Sequence, residues 1–234
     1  MKPIIIFDLG GVLIDWNPRY LYRKFFTDEP HMEFFLREVV SNRWNLQMDA
    51  GKSQQESVED LSSACSQYRD AIIAWMTRWD EMLGDAIETM PEVLQYFSRT
   101  GYELHAITNW SAETFHFAEK KYDFLQIFRT ITVSGREKVA KPNPAIFEIF
   151  LERNRIKASD CIFIDDASRN IESAYSLGFE IIHFTDPSAC IRELVDKIGD
   201  QDLLQFIEEE DNVPRSQNSE SAYSATKTKI TQSR

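Results

Sequence analysis

A chain of 234 residues, 43% hydrophobic, is long enough for one medium domain with an insertion and apolar enough for a real core. Its net charge of −12 leaves no basic field for a nucleic-acid backbone or an anionic membrane, which argues against both as partners. Three cysteines (Cys65, Cys161, Cys190), odd in number and far apart, make neither a disulfide framework nor a metal pair.

The first element is "KPIIIFDLGGVLIDW", residues 2–16. Its continuous apolar run predicts a strand buried on both faces. The run stops at one carboxylate, Asp8, and Gly10 and Gly11 then allow a sharp turn and close approach of a ligand to main-chain amides. No apolar run reaches membrane-spanning length, and Met1-Lys2 leads straight into the strand, so a soluble, cytoplasmic protein is expected.

Residues 16–88 break the strand pattern. "PRYLYRKFF", "HMEFFLREVVSNRW" and "RDAIIAWMTRWDEML" read as helices, with Trp44, Trp75 and Trp79 as their core, and no strand is evident. From residue 89 strands and helices alternate. "YELHAITN", "TITVSG", "CIFIDD" and "EIIHFTD" are short and isoleucine-rich. Segments 111–122, 143–154 and 168–178 show helical spacing and start or stop signals between them. Alternation of this kind predicts a parallel sheet with crossover helices, whose ligands bind outside the carboxyl ends of the strands. Asp8, Asn109, Ser134, Asp165 and Asp166 all fall at such ends. Residues 206–234 are polar and serine-rich and predict a disordered tail.

The fold class expected is therefore α/β. A Rossmann-like core (1–15 and 89–205) carries an all-helical insertion, 16–88, after its first strand. Four motifs in order make the chain resemble the haloacid-dehalogenase-like hydrolase superfamily over nearly all of residues 3–200. They are Asp8 in "FDLGGV", Thr108 in "ITNW", Lys141 in "AKPNPAIF" and Asp165-Asp166 in "FIDDASRNIESA". The insertion sits where that family places a mobile cap. Within the family the pattern is nearest to bacterial sugar-phosphate phosphatases of the glucose-1-phosphate type.

The resemblance implies a phosphomonoesterase in which Asp8 attacks phosphorus and forms an aspartyl-phosphate. It implies Mg²⁺ held by Asp8, the Gly10 carbonyl, Asp165 and Asp166. Lys141 would neutralise the phosphoryl oxygens, and Thr108 would donate its hydroxyl to them. Leu9, Gly10, Asn109 and Trp110 would add donors, mostly main-chain amides. From the insertion, Asn45, Asp49 and Lys52 would meet polar groups of a small phosphorylated metabolite. A monomer or homodimer is expected. Gly10 stands where most phosphatases of the superfamily carry a second Asp, the general acid. The proton must then come from elsewhere, such as Asp15 or an insertion residue, or the leaving group must need none. A cofactor-free 2-haloacid dehalogenase and a non-catalytic binding module are the alternatives on this fold.

Overall fold

The computed structural model describes residues 2–211. Five parallel strands form the central sheet, in the order β5-β4-β1-β6-β7. They are β1 (Ile4–Phe7), β4 (Leu104–Thr108), β5 (Thr130–Val133), β6 (Cys161–Asp165) and β7 (Glu180–His183); β2 (Ile14–Trp16) and β3 (Leu83–Ala86) form a separate ribbon. β1 lies between β4 and β6, with Ile6 opposite His105 on one side and Phe163 on the other.

The side-chain period of two divides the core between the faces. Ile5, Phe7, Leu104, Ala106, Ile162 and Ile164 pack on one face, against Val93, Leu94 and Phe97 of the helix Met90–Thr100. Ile6, Ile107, Cys161 and Phe163 pack on the other, against Phe147 and Phe150 of Pro144–Asn154 and Ala174 of Ser168–Ser176. Burial on both sides explains why these strands are apolar without alternation. The chain leaves β1 for β4 and β5 on one side, then returns for β6 and β7 on the other. The switch point, where α/β sheets open a crevice, is therefore at β1.

The insertion departs from expectation in two respects. Besides its helices it contains β3, which pairs antiparallel with β2 (Ile14 opposite Ala86, Trp16 opposite Leu83). The sequence "LGDA" carries no strand signal; its conformation comes from its partner. The long helical stretch after His31 is also broken at Val40-Ser41. Ser41 Oγ caps a new helix, Asn42–Asp49, by accepting from the Trp44 amide. Trp75 is fully buried and meets Trp16, Trp44 and Tyr22 at centroid distances of 6.2, 5.2 and 6.4 Å. Trp44 and Trp75 are thus packing residues, as expected.

The tail expectation is corrected at its start. A helix runs Asp202–Asp211, with Ile207 buried and the Phe206 ring 5.5 Å from that of Tyr96. The rest of the expected tail, 212–234, lies outside the described residues.

Candidate active site

Asp8 continues β1 by one residue, its amide bonded to Ile164 O at 2.8 Å. The chain then folds into a tight loop in which the Leu13 and Ile14 amides both reach Leu9 O. Gly11 is at φ +80°, and a Cβ there would lie 2.5 Å from Asp166 Oδ2. The position thus needs glycine both for its backbone and for the room it leaves a carboxylate. At Gly10 an added Cβ would meet nothing within 4 Å.

Lys141 is completely buried, and its ammonium spends its three donors on Asp8 Oδ1 (2.9 Å), Asp165 Oδ2 (2.7 Å) and Ile107 O (2.7 Å). Burial alone would lower its pKa, but the charges of Asp165 and Asp8 outweigh that and hold it above the usual lysine value. Asn109 fixes the backbone beneath it. Its Oδ1 accepts from Lys141 N at 2.8 Å, and its Nδ2 donates to Lys141 O at 2.9 Å.

The two adjacent acids have different surroundings. Asp165, fully buried, accepts from Lys141, from the Ala167 amide (2.8 Å) and from Asn170 Nδ2 (2.9 and 3.0 Å). Asp166 is more exposed and faces the crevice beside Gly11. One carboxylate oxygen from each of Asp8, Asp165 and Asp166 falls within 4.8 Å of the others. Burial pushes Asp8 up to about 7, helped by Asp165 and Asp166 and opposed by Lys141; burial and Asp165 likewise raise Asp166. Three acids against one lysine, with two of them raised, is a donor set that fits a hard divalent cation. Asp165, expected as a third ligand, belongs to that group, with both its oxygens also accepting from Lys141, the Ala167 amide or Asn170.

The other expected residues divide. The Thr108 hydroxyl, at the end of β4, is buried with no hydrogen-bond partner among the described residues, as a donor awaiting an anion would be. Gly10, Asn109 and the Trp110 side chain line a cavity of about 380 Å³ together with Asp8 and Asp166. The Trp110 amide, expected to meet substrate, instead donates to Ser134 Oγ at 2.9 Å. The Leu9 amide turns to Asp8 Oδ1 (2.7 Å), and the Leu9 side chain is in the core.

The insertion covers the crevice through one helix face. Asn42, Asn45, Leu46 and Asp49 line the cavity, with Trp16 and Trp79 beside them. Trp79, expected as core alone, is buried yet also forms cavity wall. Lys52 does not reach the cavity and pairs with Asp60 at 2.9 Å and Glu56 at 3.9 Å. Asp15 is also elsewhere, bonded by the Tyr20 hydroxyl and lining a different pocket. Asp49 is buried and accepts from Asn45 Nδ2 at 2.9 Å. Burial pushes its carboxyl up to about 7 against the opposing pull of the Ser111 amide and Lys141. The orienting roles of Asn170, Asn109 and Ser134 have no signature in single-sequence reading, because each acts on another residue. His105, read as packing, is buried and bonds Thr130 Oγ1 (2.7 Å) and Glu103 Oε1 (2.9 Å) away from the cavity.

The sequence profile of the family described as "Haloacid dehalogenase-like hydrolase" matches residues 5–184. The chain is 26% identical over 195 residues to a sesquiterpene phosphatase of Aspergillus oryzae, covering 83% of this chain and 95% of that protein. It is 23% identical over 190 residues to a phosphorylated carbohydrates phosphatase of Thermotoga maritima, covering 76% and 83%. Among solved structures, a magnesium complex of an enzyme of the same family from Bacteroides thetaiotaomicron superposes with a TM-score of 0.61 at 22% identity, covering 80% and 94%.

Proposed function

Because the chain belongs to the haloacid dehalogenase-like hydrolase family, we propose that it is a Mg²⁺-dependent phosphomonoesterase acting through an aspartyl-phosphate on Asp8. The observation that carries this reading is the Asp8–Lys141–Asp165 ion chain buried at the carboxyl ends of β1 and β6, with Asp166 left open beside it. The carboxylates of Asp8 and Asp166, with the Gly10 carbonyl, would hold the metal, which lets an anionic nucleophile approach an anionic ester. A magnesium complex of the Bacteroides enzyme is in keeping with a Mg²⁺ requirement.

The chain's own residues do the rest. Asp8 is held rigidly by β1 and aimed by Lys141, so its oxygen attacks phosphorus as the ester oxygen departs. Lys141, unable to move, keeps its charge where the phosphoryl oxygens gather negative charge. The unpartnered Thr108 hydroxyl supplies one further donor. Asp165 and Asn109 hold the lysine from its two ends. The insertion serves as a cap, closing over the site and excluding water.

A cavity of about 380 Å³ suits a small metabolite. The Asn42 and Asn45 amides offer partners to hydroxyl groups, and the Trp16, Trp79 and Trp110 rings offer flat apolar walls. A sugar phosphate fits that mixture best, in keeping with the carbohydrate phosphatase among the relatives. No helix among the described residues is long and apolar enough to cross a membrane. Haloacid dehalogenation is disfavoured. Asn170 is committed to Asp165 and offers no base, and the free Asp166 carboxylate would repel a haloacid anion.

The test is phosphate release from p-nitrophenyl phosphate and a panel of sugar phosphates, with Mg²⁺, with EDTA, and with Asp8→Asn. Metal-dependent release that vanishes in Asp8→Asn is expected. No release from any ester refutes the reading.

A further inference from the structure

The proposed reaction leaves one role unfilled. Gly10 cannot donate a proton to the departing alkoxide, and the cavity must supply one from another position. We propose that Asp49, presented by the helix Asn42–Asp49, is the general acid for the leaving group and the general base for the water that follows. This rests on the phosphatase reading above.

Three observations converge on Asp49. The first is position. It lines the same cavity as Asp8 and Asp166 but comes from the insertion, whereas the nucleophile comes from the sheet. The second is elimination. Of the carboxyls lining this cavity, Asp8 is the nucleophile and Asp166 the open metal ligand, which leaves Asp49. Asp15 lines a different pocket, and Glu113 is not part of the wall and accepts from the Gln54 amide at 3.0 Å. The third is the surroundings of Asp49 itself. It is buried yet forms no ion pair among the described residues; the contacts that hold it are the Asn45 amide and the Ser111 main-chain N–H. Burial without a paired counter-charge outweighs those donors and favours the neutral form, so the carboxyl has a proton to give. Asn45, one helical turn away, orients it.

The groups facing Asp49 set where that proton leaves. Lys141 and the Ser111 amide favour the carboxylate, and Arg169 on the cavity wall would act in the same direction. Burial favours the acid, as would the charges of Asp8 and Asp166 across the cavity. The balance puts the carboxyl at about 7, a value suited to giving a proton in one step and taking one in the next.

In the first step the Asp8 oxygen forms a bond to phosphorus, the bond to the ester oxygen breaks with its electron pair, and that oxygen takes the Asp49 proton. The alcohol leaves and Asp49 becomes a carboxylate. In the second step water attacks the phosphorus of the aspartyl-phosphate and gives a proton to Asp49. The bond to Asp8 breaks, releasing inorganic phosphate and restoring both residues.

The experiment compares the wild-type protein and Asp49→Asn on p-nitrophenyl phosphate, whose leaving group needs no proton, and on a hexose 6-phosphate, whose leaving group does. With Mg²⁺ present, Asp49→Asn is expected to lose about 10²–10⁴-fold in kcat/KM on the hexose phosphate and less than tenfold on the aryl ester. Because the second step also slows, the aryl ester should give a burst of one nitrophenolate per site. The basic limb near pH 7 in the hexose phosphate kcat/KM profile should disappear. Gly10→Asp added to Asp49→Asn should recover at least tenfold on the hexose phosphate, since an added Cβ at position 10 meets open space. Equal losses on both esters, or no loss on the hexose phosphate, would overturn the proposal. A wild-type protein inactive on both esters would instead remove the phosphatase reading, and this proposal with it.

Discussion

Asp165→Asn tests the division of labour between the two adjacent acids. In the wild-type protein the carboxylate receives Lys141, the Ala167 amide and Asn170, all donors, on two oxygens. An asparagine of the same shape has one oxygen. Whichever way it turns, its NH₂ faces either the Lys141 ammonium or the Ala167 N–H, and the lysine loses a buried counter-charge. Removing one partner of a buried ion pair costs about 3–5 kcal/mol. Lys141 keeps Asp8 and Ile107 O, so the lower end, about 3 kcal/mol, is expected. For a domain of this size that is a fall of about 6–12 °C in melting temperature. Asp166→Asn, by contrast, removes a like charge from beside Asp8 and Asp165 and should melt at or above the wild-type temperature. Calorimetric titration with Mg²⁺ supplies the second axis. Asp166→Asn should lose at least tenfold in affinity, and Asp165→Asn only a few-fold. An Asp165→Asn protein that melts like wild type but binds Mg²⁺ as poorly as Asp166→Asn would refute the assignment and return Asp165 to the metal.

Gly11→Ala should lower the melting temperature by several degrees and weaken Mg²⁺ at least tenfold. A side chain at φ +80° costs about 1–2 kcal/mol, and its Cβ displaces Asp166, so an unchanged titration would contradict the packing described. Asp49→Asn should become more stable relative to wild type as pH rises. The folded wild type keeps its proton to about pH 7 while the unfolded chain releases it near 4, so burial penalises the wild type progressively across that window. The difference in urea unfolding free energy should grow by up to about 4 kcal/mol between pH 4 and 7 and stay flat above; a pH-independent difference would show that Asp49 is ionised in the fold. Saturation with Mg²⁺ at about a hundred times its Kd should stabilise the wild type by about 2.7 kcal/mol, reversibly with EDTA, and should do nothing for Asp8→Asn/Asp166→Asn.

The parts of the fold legible in the sequence are those where one physical cause dominates. β1 and β6 are buried on both faces, so each is a plain apolar run, and each ends at a carboxylate, Asp8 or Asp165. Gly11 shows itself because only glycine fits its backbone and its neighbour. What stayed hidden is relational. Leu83–Ala86 is a strand only because Ile14–Trp16 lies beside it. Asp165 and Asp166 are indistinguishable as letters, and their roles separate only when Lys141 and Asn170 are seen to claim one of them. Lys52 reads as a turn lysine facing substrate, yet Asp60 and Glu56 on the following helix hold it. Asp49 looks like any helix-end acid until its burial is known.

The β2–β3 ribbon has a mechanical meaning. The chain crosses between sheet and insertion twice, and the two crossings are hydrogen-bonded to one another as Ile14–Trp16 and Leu83–Ala86. Two independent tethers would let the helical layer twist, slide or tilt. Two tethers joined as one strap act as a single connection, which restricts those freedoms. Trp16 belongs to that strap and to the cavity wall at once. A displacement of the insertion about that strap would therefore reshape the cavity wall and shift Asp49 relative to Asp8 together.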